Sequence, residues 1–239
     1  MKICTLCPRM CAVDRKSGER GICGQTTEIK VARAALHFWE EPCISGEMGS
    51  GAVFFSGCAL HCVFCQNENI ANGTAGKVIS TERLGKIFLE LQEKGANNIN
   101  LVTPGQFVPQ IIKAVELARN QNLKIPIVYN TSSYENVDTI RSLEGIVDIY
   151  LPDFKYFDTA LSAKYSHAPD YPAVAKAVIA EMVRQTGAAV FENGEDSLMK
   201  RGTIVRHLIL PGCTKDSKAV LKYLHETYET VSYTHLRAH

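Results

Sequence analysis

Residues 52–67 read Ala-Val-Phe-Phe-Ser-Gly-Cys-Ala-Leu-His-Cys-Val-Phe-Cys-Gln-Asn, and this stretch decides the fold. Its first four residues are a short apolar run that stops at Ser56-Gly57, as a buried strand does when it enters a turn. The remainder carries Cys58, Cys62 and Cys65 at C-x3-C-x2-C spacing. Three thiolates so placed can bind three irons of a cubane cluster. A purely electron-transferring cluster takes four cysteines, so a triplet leaves one iron open for chemistry. Three buried free thiols, or part of a zinc site, are the alternatives, although structural zinc usually wants paired two-residue spacings and four ligands. A reactive loop leaving the C-terminal end of a strand is where barrel enzymes put their chemistry.

Working downstream, the period alternates between 3.6 and short apolar runs. Leu84, Ile87, Phe88 and Leu91 recur at helical spacing, with Gly95 as the C-cap. A buried strand follows at about 98–102, a helix at 108–120, a strand at 125–129 and a short helix at 136–143. A strand at 147–151 comes next, then two helices within 157–188, on which Met182 reads as core filler. Asn193-Gly194 marks a turn, ahead of a strand at 204–210 and a helix at 217–228. Strands alternating with helices argue for βα units and a mostly parallel sheet. The expectation is an α/β fold, a partial parallel (β/α)6-type barrel over residues 31–231, preceded by a cysteine-rich N-terminal extension over residues 1–30.

That extension holds Cys4, Cys7, Cys11 and Cys23, broken by Pro8, Gly18, Gly21 and Gly24. A turn-rich segment this short cannot bury enough apolar surface to hold itself together, and four thiols make a metal knot. Zinc, a second iron–sulfur cluster and free thiols all fit the spacing. Cys43, alone before Ile44, reads as a small buried residue.

Lysine plus arginine (26) nearly balance aspartate plus glutamate (25), which gives no reason to expect a nucleic-acid partner. Nine cysteines behind a start without an apolar secretory segment read as metal ligands rather than disulfides. No window approaches the roughly 18 apolar residues of a membrane span. These features point to a cytoplasmic protein of an anaerobic or microaerobic cell, with no membrane partner.

The motif Cys58-x3-Cys62-x-Phe64-Cys65 resembles the cluster motif of radical S-adenosylmethionine (SAM) enzymes. The flanks Glu41-Pro42-Cys43-Ile44-Ser45-Gly46, Gly49-Ser50-Gly51, Phe54-Phe55-Ser56-Gly57 and Gln66-Asn67 are similar to an uncharacterised group related to the pyruvate formate-lyase activating enzyme. The resemblance implies a 4Fe–4S cluster on Cys58, Cys62 and Cys65, with SAM bound at the open iron and cleaved reductively to a 5′-deoxyadenosyl radical. It also implies an electron donor such as flavodoxin or ferredoxin and a protein or small-molecule substrate, with a glycyl radical on a partner enzyme as the obvious target. Thr103-Pro104 stands where many relatives carry a Gly-Gly-Glu turn for the methionyl amino group, so Thr103 or backbone carbonyls would make that contact. Asn130 and Ser132 are candidates for the ribose or the carboxylate. Asp153 and Lys155 resemble the Asp-x-Lys element of the activating enzymes, Lys155 for the carboxylate and Asp153 for an amine. Arg206 and His207 are weaker candidates, and Gln106 replaces a histidine common in relatives.

Residues 232–239 look like translated sequencing adapter, with the authentic frame ending near Val231, which would leave the barrel without its sixth strand. The competing function is a non-catalytic iron–sulfur or zinc protein of electron transfer, in which a fourth thiol such as Cys43 or Cys213 closes the triplet.

Overall fold

The computed structural model describes residues 3–193 and 197–228, together with the backbone of 232–237. The elements run β1 (Ile29–His37), α1 (Pro42–Ser45), β2 (Ser50–Phe55), α2 (Glu68–Ala71), β3 (Lys77–Ile79), α3 (Thr81–Glu93), β4 (Ile99–Val102) and α4 (Val108–Asn120). Next come β5 (Ile127–Thr131), α5 (Val137–Arg141), β6 (Ile149–Pro152), α6 (Thr159–Ser166), α7 (Tyr171–Thr186), β7 (Val190–Phe191), β8 (Met199–Ile209), α8 (Thr214–Thr227) and β9 (Ser232–Arg237).

Strands β2, β4, β5, β6, β8 and β9 pair in parallel, each joined to the next through helix, and they form the curved wall of a partial barrel. β9 takes the place of the sixth strand that the sequence reading left out. β1 and β3 extend the other edge antiparallel. Neither was expected, because β1 is half-exposed over much of its length and lacks clean alternation. β7 folds back antiparallel on β8, and Gly194 of the expected turn lies outside the described residues.

Helix boundaries follow local chemistry. Ser80 caps α3 by accepting the Arg83 backbone N–H at 3.1 Å, and Asp158 caps α6 through the amides of Ala160 and Leu161. β5 begins two residues later than expected because Pro126 cannot donate to a sheet. Ile127 N–H instead meets the Asp148 carboxylate at 2.8 Å.

Alternation along the parallel strands sorts their side chains. Val53, Phe55, Ile99, Leu101, Ile127 and Tyr129 face outward against Leu84, Phe88, Leu91, Ile111 and Val115 of α3 and α4, and all of these are buried. Inside the barrel a smaller apolar plug of Ile44, Val128, Ile149, Leu151, Met199 and Ile204 closes one end. A third cluster, built on Phe154, Tyr156, Tyr171, Ile179, Val205, Val220 and Leu224, reaches the cysteine loop, where Leu60, Cys58, Cys62 and Phe64 pack against it. The loop therefore sits on a preformed apolar shelf.

Candidate functional site

The cysteine loop leaves β2 through Ser56 and Gly57. Gly57 adopts φ +86°, and a Cβ there would collide with the Cys23 carbonyl oxygen, so only glycine fits this exit. Gly57 N–H donates to Ile70 O at 2.8 Å, closing the loop onto α2, while Val63 N–H donates to Tyr165 O at 2.9 Å. Both ends and the middle of the loop are thus pinned.

Each of the three sulfurs has a donor aimed at it. Leu60 N–H points at Cys58 Sγ (3.4 Å), the Ser166 hydroxyl at Cys62 Sγ (3.0 Å), and the Asn67 backbone amide serves Cys65. Without a metal, burial pushes the Cys58 thiol up to about 11 and raises Cys65 as well. Thiols so placed stay protonated until a metal displaces the proton, whereas donors on sulfur favour the thiolate that a cluster needs. The residues therefore fit an iron–sulfur cluster. Phe64 meets the edges of Tyr156 and Tyr165, which holds the Cys62–Cys65 turn against the shelf.

A polar chain threads the barrel interior toward this loop. Glu40 accepts from Asn100 (2.9 Å), Asn130 (3.0 Å) and Arg206 Nη1 (2.9 Å). Arg206 continues to Asn130 Oδ1 through Nη2 (2.6 Å) and to Asp153 Oδ1 through Nε (3.1 Å). Asp153 Oδ2 accepts from Lys155 Nζ at 2.6 Å, and the Lys155 charge is felt at Cys65. Burial pushes the Asp153 carboxyl upward, but Lys155 and Arg206 more than offset it and hold the group below its ordinary range.

Of the residues singled out from sequence, Asn130, Asp153 and Lys155 join one network, with Arg206 at its hub. Thr103 and Ser132 instead line a cavity shared with Cys4, Cys7, Cys23 and Cys58. Thr103 takes φ +55° and donates its N–H to Asn130 O (2.9 Å), and the Ser132 carbonyl accepts from Tyr171. His207 faces away from the barrel interior, with Nδ1 on Phe154 O at 2.7 Å and burial lowering its pKa.

Cys43 cannot complete the triplet. It lies on α1 beside the start of β2, and Cys58 follows its end, a separation of ~20 Å for a six-residue strand. Cys213 lies beyond β8, packed against the same apolar cluster as Cys58 and Cys62.

Two groups, Glu40 and Glu135, were missed, and a third, Gln106, was noted only as a replacement for a histidine whose absence cast doubt on any role. Glu40 gave no sequence signal, since its partners come from three distant strands. Glu135 is buried with one oxygen held by the Thr131 (2.7 Å) and Tyr129 (3.2 Å) hydroxyls and the other unpartnered, and burial pushes it to about 7. Gln106 ties the exit of β2 to the exit of β4 by donating to Ser56 O (2.9 Å), Gly57 O (3.0 Å) and Thr103 O (2.9 Å). Gln106→Leu strands those buried carbonyls, and we expect a loss of ~1–3 kcal/mol in urea unfolding together with faster amide exchange at Gly57.

Uncharacterized protein MJ0674 of Methanocaldococcus jannaschii is 27% identical over 217 residues, covering 88% of this chain and 57% of that protein. The chain thus spans little more than half the length of that relative. The crystal structure of HydG, a maturase of the FeFe-hydrogenase, superposes with a TM-score of 0.50 at 14% identity, over 75% of this chain and 41% of that one. Methylornithine synthase (PylB) gives 0.44 at 16% identity, over 74% and 50%. Residues 52–224, which run from the middle of β2 through most of α8 and include the whole cysteine loop, match the family model, and the chain belongs to the Radical SAM superfamily.

Proposed function

We propose that this chain is a radical SAM enzyme of the activating-enzyme type, with Cys58, Cys62 and Cys65 as the ligands of its 4Fe–4S cluster. The observation that carries the reading is the pinned strand-end loop on which three sulfurs each receive a hydrogen-bond donor. The group supplies, when bound, the single electron that cleaves SAM to a 5′-deoxyadenosyl radical.

The protein's own part is binding and orientation. Lys155 and Asp153 form an ion pair at the strand ends beside the loop. The amino-acid end of SAM is a zwitterion, so its carboxylate and ammonium can replace that pair partner for partner, and neither side chain is left as an isolated charge. Arg206 keeps Asp153 ionised for this exchange. Asn130, Ser132 and Thr103 offer further polar contacts at the strand ends, and Cys58, Cys62 and Phe64 pack against the apolar shelf.

The residues around 41–51 and 54–67 support an activating-enzyme relationship, hence a protein substrate, a glycyl-radical enzyme first among them. A one-electron donor of the flavodoxin or ferredoxin kind supplies the reductant. A cytoplasmic setting suits that donor, and among the described residues no helix is long and apolar enough to cross a membrane.

Anaerobic reconstitution followed by EPR tests the proposal. SAM should shift the reduced-cluster signal and dithionite should yield 5′-deoxyadenosine, with Cys213→Ser behaving as wild type. A spectrum indifferent to SAM, with no cleavage, would falsify the reading in favour of a closed electron-transfer cluster.

A further inference from the structure

We infer that the Ser166 hydroxyl, oriented by Tyr156, sets the reduction potential of the cluster held by Cys58, Cys62 and Cys65, acting through its hydrogen bond to Cys62 Sγ. This role for Ser166, as a positioning residue for electron uptake, rests on the function proposed above, because it takes those three cysteines as the cluster ligands.

The three sulfurs are not served alike. Cys58 and Cys65 take backbone donors from their own loop, at Leu60 and Asn67, so any sequence that makes the turn makes those donors. Cys62 instead takes a side-chain hydroxyl from Ser166, 104 residues away at the end of α6, at 3.0 Å. A hydroxyl carries one proton, and the Tyr156 phenol oxygen lies 2.7 Å from Ser166 Oγ. With the Ser166 proton on sulfur, Tyr156 must donate to Ser166, so the chain runs from Tyr156 through Ser166 to Cys62. Tyr156 and Ser166 are both fully buried, and Tyr156 meets Phe64 and Tyr171 edge to face. In so buried a setting a hydrogen bond to an anionic sulfur is at its strongest.

Helix α6 is fixed where this contact needs it. His167 takes φ +52° and caps the helix end, and Tyr165 O accepts from Val63 N–H at 2.9 Å. Arg9 ties the same helix end to the cysteine loop by donating to Ala59 O (2.8 Å), Ser166 O (3.1 Å) and His167 O (2.6 Å). The Ser166 hydroxyl is thereby turned to sulfur and away from the carbonyl one turn back, the kind of partner that Ser162 of the same helix takes at Thr159 O (3.0 Å). Electron uptake moves one electron and no proton. A one-electron protein donor is oxidised as the cluster is reduced, no bond forms or breaks, and negative charge on the sulfurs grows. A donor on sulfur stabilises the more negative state, so Ser166 raises the potential and eases reduction.

The test is an EPR-monitored redox titration of the full chain, reconstituted anaerobically with iron and sulfide and free of SAM. At a fixed potential Ser166→Ala should lower the ratio of reduced to oxidised cluster about tenfold, a shift of ~59 mV for one electron, and Tyr156→Phe should lower it by less. Ser162→Ala, at an equally buried serine of α6 whose hydroxyl meets Thr159 O, should titrate as wild type. Ser166→Ala strands the Tyr156 hydroxyl. If that variant does not fold, the double variant Ser166→Ala, Tyr156→Phe, which leaves no stranded group, carries the same expectation. A ratio unchanged or raised in these variants, or lowered equally by Ser162→Ala, overturns the role of Ser166. A wild type with no reducible cluster overturns that role and the proposed function together, whereas a Ser166-dependent potential in a protein that never cleaves SAM sinks the proposed function alone.

Discussion

Alanine at Cys58, Cys62 or Cys65 should abolish SAM cleavage and remove the Cys58-loop cluster, while leaving the barrel folded. In the proposed cluster each thiol is one of three protein ligands, so a single loss would open a second iron and the cluster would no longer be held. The fold does not depend on these sulfurs. The core between the sheet and helices α3 and α4 contains none of them, and Cys58 and Cys62 only border the apolar cluster beneath the loop. Trimming a half-buried sulfur should therefore cost ~1 kcal/mol or less in the metal-free protein. Iron analysis and thermal melts of metal-free samples check both halves. Cys43→Ala, at the far end of β2, should lose neither iron nor activity. Iron bound at wild-type level by any of the three variants would count against the triplet.

Arg206→Met should be the most destabilising single change in the barrel interior, by ~3–5 kcal/mol, because it removes one partner from a buried charge network. Arg206 is 15% exposed and Glu40 11%, and one guanidinium serves Glu40, Asn130 and Asp153 at once. Without it, among the described residues, the Glu40 carboxylate keeps the two amides of Asn100 and Asn130, and the Asp153 carboxylate keeps Lys155. Arg206→Lys should recover part of the loss, since an ammonium can reach one acceptor but not fork across three. Adding Glu40→Gln to Arg206→Met should recover a further part by removing the orphaned charge. Denaturant titrations of the single and double variants measure the coupling. A loss below ~1 kcal/mol for Arg206→Met would show that the network carries little energy.

The two cases differ in how much of them could be read from the chain alone. The cysteine triplet is local: ligand spacing, the apolar run of β2 and the Ser56-Gly57 exit all lie within sixteen consecutive residues. The βα alternation was legible for the same reason, since helices α3, α4 and α7 carry apolar residues at a period that one window reveals. Boundaries slipped where tertiary contacts set them, as at β5, where Pro126 and the Asp148 carboxylate move the strand start to Ile127. β1 escaped notice because it shows little buried alternation, being half-exposed or exposed over most of its length although it pairs with both β2 and β3. The network around Arg206 was out of reach. Glu40, Asn130, Asp153 and Arg206 are separated by up to 166 residues, and only closure of the parallel wall points them into one interior.

The sequence by itself determined the triplet, its place at a strand end and the parallel βα order, because these rest on periodicity and on spacing along a few turns of chain. Only the tertiary structure decided what surrounds the triplet. It laid the Cys23 carbonyl against Gly57, aimed the Ser166 hydroxyl at Cys62, and set the Asp153 and Lys155 pair beside the loop. Contacts across 34 to 104 residues are chosen by burial and charge pairing in the folded chain, and local spacing carries no record of them.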